Sequence, residues 1–218
     1  MHVLKKAAIG AASAGTALAQ AATPYYDAES GITYSSITHE NGVTYRVALP
    51  VETTVSDAIF QIVAPSTMGW CGLAWGGRMA NNPLSVSWPT GSTDGQQVII
   101  SSRMAFGYYA TPATYDGAMY TYLNGIEVNE THWKITARCQ GCTQWDDTNI
   151  HTEDFAVLAY ACATTPPDEP ASNSSNFNMH DQFGIWGHDL TIAKNASFAD
   201  WVANNTPTEQ VAERRWYA

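Results

Sequence analysis

Charge is scarce in this 218-residue sequence: Asp, Glu, Lys and Arg make up 14% of it, where a soluble domain usually carries about 25%. Basic residues are scarcer still, 10 against 20 acids, for a net charge of −10. That excludes a nucleic-acid binder, which needs a basic face to release phosphate counterions. It also excludes a protein held on anionic lipid. No apolar run approaches the ~20 residues of a membrane-spanning helix. No G-x-S-x-G, H-E-x-x-H or Walker sequence is present, and there is no internal repeat. What is plentiful is apolar: 45% hydrophobic and 11% aromatic residues, enough for a sizeable core and against disorder. The length suits one domain, or at most two small ones.

Residues 1–19 read as a secretory leader, with residues 20–218 as the mature domain. Lys5 and Lys6 form a basic start, Ala7 to Ala19 is a short apolar stretch, and Ala17-Leu18-Ala19 fits a small-x-small cleavage site. Loss of two Lys and no acid would take the charge from −10 to −12. Sequons at Asn129, Asn173, Asn195 and Asn204 fit a secreted, extracellular glycoprotein. The four cysteines, Cys71, Cys139, Cys142 and Cys162, then imply disulfides. The C-x-x-C at Cys139 lacks a second ligand pair for zinc, a βαβ context for redox work, and the His that covalent c-type haem requires, since Thr143 stands there. Pairing 139–142 with 71–162 is preferred among three connectivities.

The body reads as short strands between turns. Val43, Tyr45, Val47 and Leu49 alternate with more polar residues, as do Leu84, Val86 and Trp88 with Ser85 and Ser87, and Trp133, Ile135 and Ala137 with Lys134, Thr136 and Arg138. Period-two alternation places one face in a core and one in water. Ala58–Ala64 and Phe155–Ala163 are continuous apolar runs, as for strands covered on both faces. Turn signals such as Asn41-Gly42, Asp94-Gly95 and Asn124-Gly125 separate them. The fold class is all-β, an antiparallel β-sandwich. Helix is expected only near the end, as a short turn over 197–202 and after a capping box, Thr206-Pro207-Thr208-Glu209. Residues 164–180 are a long loop by composition.

Catalytic constellations are weak. Asp146, Asp147, Glu153 and Asp154 lie close in sequence, but such a run is usually a solvated edge; a two-carboxylate glycoside hydrolase stays open. Two segments carry more. Trp- and Gly-rich residues 69–77 lead to Met79 on a turn, where small residues let a large flat group approach the backbone and a thioether can act as a soft ligand. Residues 176–190 place His180 at the end of the long loop, beside Phe183 and Trp186, as a partner for Met79 at a buried iron.

With these blocks the sequence resembles the haem-b cytochrome domain of fungal cellobiose dehydrogenases, also found as a stand-alone iron-reductase domain. The blocks run in order: Trp70-x-Gly72 to Gly76-Gly77-x-Met79-x-x-Asn82-Pro83-Leu84, then Trp88-Pro89, Ser101-Ser102-Arg103 to Gly107-Tyr108, Thr131-His-Trp-Lys to Arg138-Cys-Gln-Gly-Cys-Thr, and His180-Asp-x-Phe183-Gly184 to Gly187-x-Asp189. The resemblance implies an immunoglobulin-like sandwich holding one non-covalent haem b between Met79 and His180, with Tyr108 near a propionate. Cys71 departs from the aliphatic residue frequent in the family. The family's flavin dehydrogenase domain is not seen in these residues.

The function so implied is a one-electron relay. Its donor would be a dehydrogenase, flavin-dependent in the family, and its acceptor a copper polysaccharide monooxygenase or ferric iron. Besides the hydrolase, one other class stays open: a haem-free carbohydrate-binding sandwich with Trp70, Trp75 and Trp186 stacked on a glycan.

Overall fold

The structure, a computed structural model, describes residues 21–208. The leader, and Glu209 of the expected capping box, lie outside the described residues. Along the chain the strands are β1 (Thr23–Asp27), β2 (Ile32–Thr38), β3 (Thr44–Ala48), β4 (Asp57–Pro65), β5 (Trp70–Ala74), β6 (Leu84–Pro89), β7 (Val98–Met104), β8 (Ala113–Thr114), β9 (Met119–Tyr122), β10 (Glu127–Val128), β11 (His132–Gln140), β12 (Gln144–Trp145), β13 (Thr148–Asn149), β14 (Phe155–Ala163) and β15 (Gln182–Asp189). One helix, α1 (Phe198–Asn205), follows. It begins after Ser197, close to the expected turn, and Thr206 is its C-cap; the helix expected after the capping box falls outside the described residues.

Two antiparallel sheets pack face to face, as in an immunoglobulin-like sandwich. The first has the order β1-β2-β3-β4-β11-β10, with β9 also on β11; the second has β15-β14-β5-β6-β7-β8. Val47, Phe60, Ile62 and Ile135 from the first meet Leu73, Trp75, Ile100 and Leu158 from the second in one core. The outer face of the first sheet is covered by α1, whose Phe198 joins Ile32, Tyr34, Ile59 and Leu123. That is why Ala58–Ala64 reads as apolar on both sides.

Both expected disulfides are present, Cys71–Cys162 and Cys139–Cys142. Cys71 and Cys162 face each other across β5 and β14 in direct register. They bridge 91 residues of sequence, a long closure that restricts the unfolded chain.

The alternation of β6 runs opposite to its expected sense. Ser85 and Ser87 share a face with Leu73 and Cys71, towards the sandwich interior. There Ser85 accepts the Trp75 indole N–H at 2.9 Å. Leu84, Val86 and Trp88 point to the outer face instead and are buried there. Likewise Phe155–Ala163 is covered on both faces only in part, because Phe155 and Val157 are exposed.

Where β2, β3, β14 and β15 meet, a polar-aromatic cluster is built into the sandwich. His39 packs 4.4 Å from Tyr160 and 4.7 Å from Trp186, centroid to centroid. Trp186 donates its indole N–H to Nδ1 of His188 at 3.0 Å. Burial holds both His39 and His188 at a pKa of about 4, below the ordinary 6.5, though Asp189 partly opposes the shift at His188. Burial moves His151 in the same direction. Folding therefore favours the neutral rings. Their stabilisation is complete above pH 6.5 and is lost as pH falls towards 4. For the fully buried His188 the loss is on the order of 3 kcal/mol. Urea unfolding measured from pH 7 to pH 4 should show the midpoint falling steeply. The variant His188→Gln should be less stable at pH 7 but flatter in slope.

Candidate functional site

The outer face of the second sheet holds the site. In register across β14, β5 and β6, Ala159, Ala74 and Leu84 form one row and Ala161, Gly72 and Val86 the next. Trp70, Trp88 and Ala163 close the far end. The middle of this strip carries almost no side chain, so a flat apolar group can lie close to the backbone. Ile185 and Phe183 on β15, opposite Ala159 and Ala161, form a rim with Val157 and Met179. All four rim residues are more than half exposed.

Met79 sits at one end of the strip, on the turn between β5 and β6, packed against the buried cluster to which Ala74 and Leu84 belong. The local sequence fixes that turn. Gly77 has φ +73, and a Cβ there would come within 2.5 Å of Val157. A Cβ on Gly76 would overlap Oδ1 of Asn82 at 1.7 Å. Asn82 is buried and donates to the carbonyls of Arg78 at 3.1 Å and Ala80 at 2.8 Å, on either side of Met79. Asn81 takes up φ 56 and donates to Ala105, which tethers the turn to the loop 105–112.

His180 sits at the other end, just before β15, with its ring 5.0 Å from that of Phe183. Its Nδ1 is buried and has no hydrogen-bond partner. The preceding segment is firmly pinned. Trp88 donates to Pro170 O at 2.9 Å, and Phe177 packs 4.9 Å from Trp70. Arg103 donates to Asn173 O and Ser175 O. Asp181 accepts from the backbone and hydroxyl of Thr164, bonds that hold its carboxyl below the usual range. The long loop at 164–180 is thus a clasp lying across the sheet, not a free linker. Tyr108 lies on the loop 105–112, next to the Met79 turn, and is mostly exposed.

The structure therefore puts Met79 and His180 on one sheet face, flanking a floor of small residues. A thioether and an imidazole are soft and borderline donors that suit iron in a haem. Among the described residues no group of three His, Cys, Asp or Glu could hold a metal ion by itself. A metal at this place would need its remaining donors from a bound ligand. The alternatives fare worse. Trp70, Trp75 and Trp186 are all buried and offer no stacking platform to a glycan, and Asp146, Asp147, Glu153 and Asp154 are exposed as a solvated edge. The roles of Asn82 and Arg103 were not legible in sequence, although both stand in the blocks that carry the family resemblance.

Comparison with known proteins identifies the family. The family model described as the cytochrome domain of cellobiose dehydrogenase matches residues 25–200. A pyrroloquinoline quinone-dependent pyranose dehydrogenase of Coprinopsis cinerea is 32% identical over 179 residues, 79% of this chain and 24% of that protein. The chain thus spans about a quarter of the length of this curated relative. The crystal structure of the cytochrome b domain of that organism's pyranose dehydrogenase superposes with a TM-score of 0.76 at 30% identity, over 85% of this chain and 96% of that one. The cytochrome domain of Myriococcum thermophilum cellobiose dehydrogenase gives 0.76 at 31% identity, over 86% and 97%.

The packing of the Met79 turn makes a quantitative expectation. Asn82→Ala leaves two carbonyls short of a donor and should cost about 1–3 kcal/mol in urea unfolding. Gly76→Ala alone should cost more than it does in the Asn82→Ala background, because the clash is with the Asn82 side chain. A double-mutant cycle reads that coupling.

Proposed function

The chain belongs to the family of cellobiose dehydrogenase cytochrome domains, and on that premise we propose that it is a secreted haem-b electron-transfer protein, ligated by Met79 and His180. The observation that carries this reading is the placing of those two donors at the two ends of one small-residue strip. Bound haem b would supply an iron that changes by one electron between ferric and ferrous. Met79 and His180 would together hold the iron and leave no coordination site open to oxygen or peroxide. Met79, a neutral soft ligand, would favour the ferrous state and raise the potential. The unpartnered Nδ1 of His180 leaves its ring tautomer unfixed by the described protein groups, so ligation through Nε2 would set it. Trp70, Phe177, Leu84 and Val86 keep water from the strip. Tyr108, exposed on the loop 105–112, would be the donor to a propionate.

The relay needs partners. Its relatives are dehydrogenases that carry such a domain, which supports a dehydrogenase as the donor. The acceptor is a copper polysaccharide monooxygenase or ferric iron. The acidic charge of −10 would steer encounter towards a positive patch or cation and make it salt-dependent. Sequons and the leader motif support secretion.

Purified protein, as isolated or after haem reconstitution, should show a low-spin spectrum that sharpens with dithionite. Met79→Ala or His180→Ala should abolish the low-spin form. Absence of any Soret band after reconstitution overturns the haem reading. Stopped-flow mixing of reduced protein with a copper monooxygenase, or with ferric citrate, should reoxidise it within seconds. Inertness to both overturns the acceptor assignment while leaving the haem reading intact.

A further inference from the structure

We propose that Arg103 is a positioning residue for this site. It fastens the segment carrying His180 and the loop carrying Tyr108 to the sheet. It also leaves an unneutralised positive charge beside the strip that favours the reduced state. The charge role rests on the haem reading above; the fastening role does not.

Arg103 lies on β7 directly opposite Leu84, a residue of the strip. Its side chain is buried at 2% exposure. From there the guanidinium reaches three parts of the chain. Nε donates to Ser101 Oγ at 2.6 Å, and Nη1 to Pro112 O at 3.1 Å, at the end of the Tyr108 loop. Nη2 donates to Asn173 O at 3.1 Å and to Ser175 O at 2.6 Å, five residues before His180. Ser101 strengthens the joint with its own bond to Asn173 O. Phe177, between Ser175 and His180, lies 5.3 Å from the guanidinium carbon. A planar fork of fixed donors can hold three carbonyls from two separate segments at once; the single point charge of a Lys cannot.

Every one of these acceptors is neutral. Among the described residues Arg103 makes no ion pair, unlike Lys134, Arg138 and Lys194. Burial pushes its pKa down, yet a guanidinium stays protonated in proteins. A buried cation without a carboxylate is costly to keep, and a chain this rich in acids could have supplied one. The arrangement makes sense if a positive charge is needed near the strip. Reduction adds one electron to a bound haem, and a fixed cation in a low-dielectric wall attracts that added charge.

Three variants separate the two roles: Arg103→Lys keeps the charge and loses the fork, Arg103→Gln loses both, and Ser101→Ala weakens the joint without touching the charge. Hydrogen exchange by mass spectrometry reads the fastening in protein without added haem. All three should speed exchange at 171–177 at least tenfold while β2, β3 and β4 stay unchanged. Spectroelectrochemistry of the loaded protein reads the charge. Arg103→Gln should shift the ferrous-to-ferric ratio at least tenfold towards ferric, a fall of about 59 mV for one electron. Arg103→Lys and Ser101→Ala should stay within threefold of the parent. Unchanged exchange in Arg103→Lys and Ser101→Ala overturns the fastening. Equal shifts in Arg103→Lys and Arg103→Gln, or no shift in either, overturn the charge role. If the parent takes up no haem, the charge role falls with the haem reading, and the exchange arm still decides the fastening.

Discussion

A β-sheet that is apolar on both faces needs two covers, and the second sheet of this protein brings only one of its own. Its inner face packs on the first sheet. Its outer face carries Trp70, Leu84, Val86 and Trp88 beside a floor of Gly72, Ala74, Ala159 and Ala161. Each apolar side chain left in water there would forgo about 1.5–3 kcal/mol of burial. The rest of the site follows from that need. The segment 164–180 lies across Trp70 and Trp88 and delivers His180, while the β5–β6 turn folds over the other end and delivers Met79. The strip between them, whose Gly72, Ala74 and Ala159 are buried, is flanked by exposed Val157, Phe183 and Ile185. Single apolar residues on a surface need no explanation, but a contiguous exposed group does.

The Met79 turn and the His180 segment are held in different ways. The Met79 turn is held by local chemistry: two glycines without room for a Cβ, and an Asn side chain that supplies two donors to the backbone. The His180 segment has local turn bonds, such as Asp168 N–H to Asn176 O and Glu169 N–H to Ser175 Oγ. Long-range bonds from Trp88, Ser101 and Arg103 then fasten its carbonyls to the sheet. That fastening depends on the sheet being formed, whereas the glycine turn carries its own geometry. In the proposed one-electron relay both would help, because ligands that stay in place between oxidation states leave little to reorganise.

These differences also explain what could be read in advance. The all-β class, the cysteine pairs and the loop character of 164–180 were visible because alternation, an even cysteine count and Pro/Ser/Asn composition are local signals. The facing of β6 was not. Leu84, Val86 and Trp88 alternate with serines, and the rule that apolar residues face the core assigns them inward. The rule fails because Ser85 is satisfied inside by the Trp75 indole, and because the outer face is itself covered, by the segment 164–180 over Trp70 and Trp88. Likewise Ala159 and Ala161 read as ordinary strand residues, and only register with Gly72 and Ala74 shows them as one floor. Met79 and His180 were legible as ligand types, yet their shared sheet face is a product of topology.

Scarce charge ties these points together. A sheet with two apolar faces leaves few positions for charged side chains, which is one physical source of the 14%. Three of the cations are placed beside acids: Lys134 with Glu29 and Glu127, Arg138 with Asp57, Lys194 with Asp154. Such pairs near the surface contribute little to stability and cancel one another's field. Arg103 differs from these, buried against neutral carbonyls. In a chain with twice as many acids as bases, the overall surface field is negative and is screened within about 10 Å by salt. A buried cation is screened far less. In the proposed relay the protein would present a negative exterior to a partner while keeping a positive potential beside the site, and the two fields would act on different steps: the first on encounter, the second on where the electron rests.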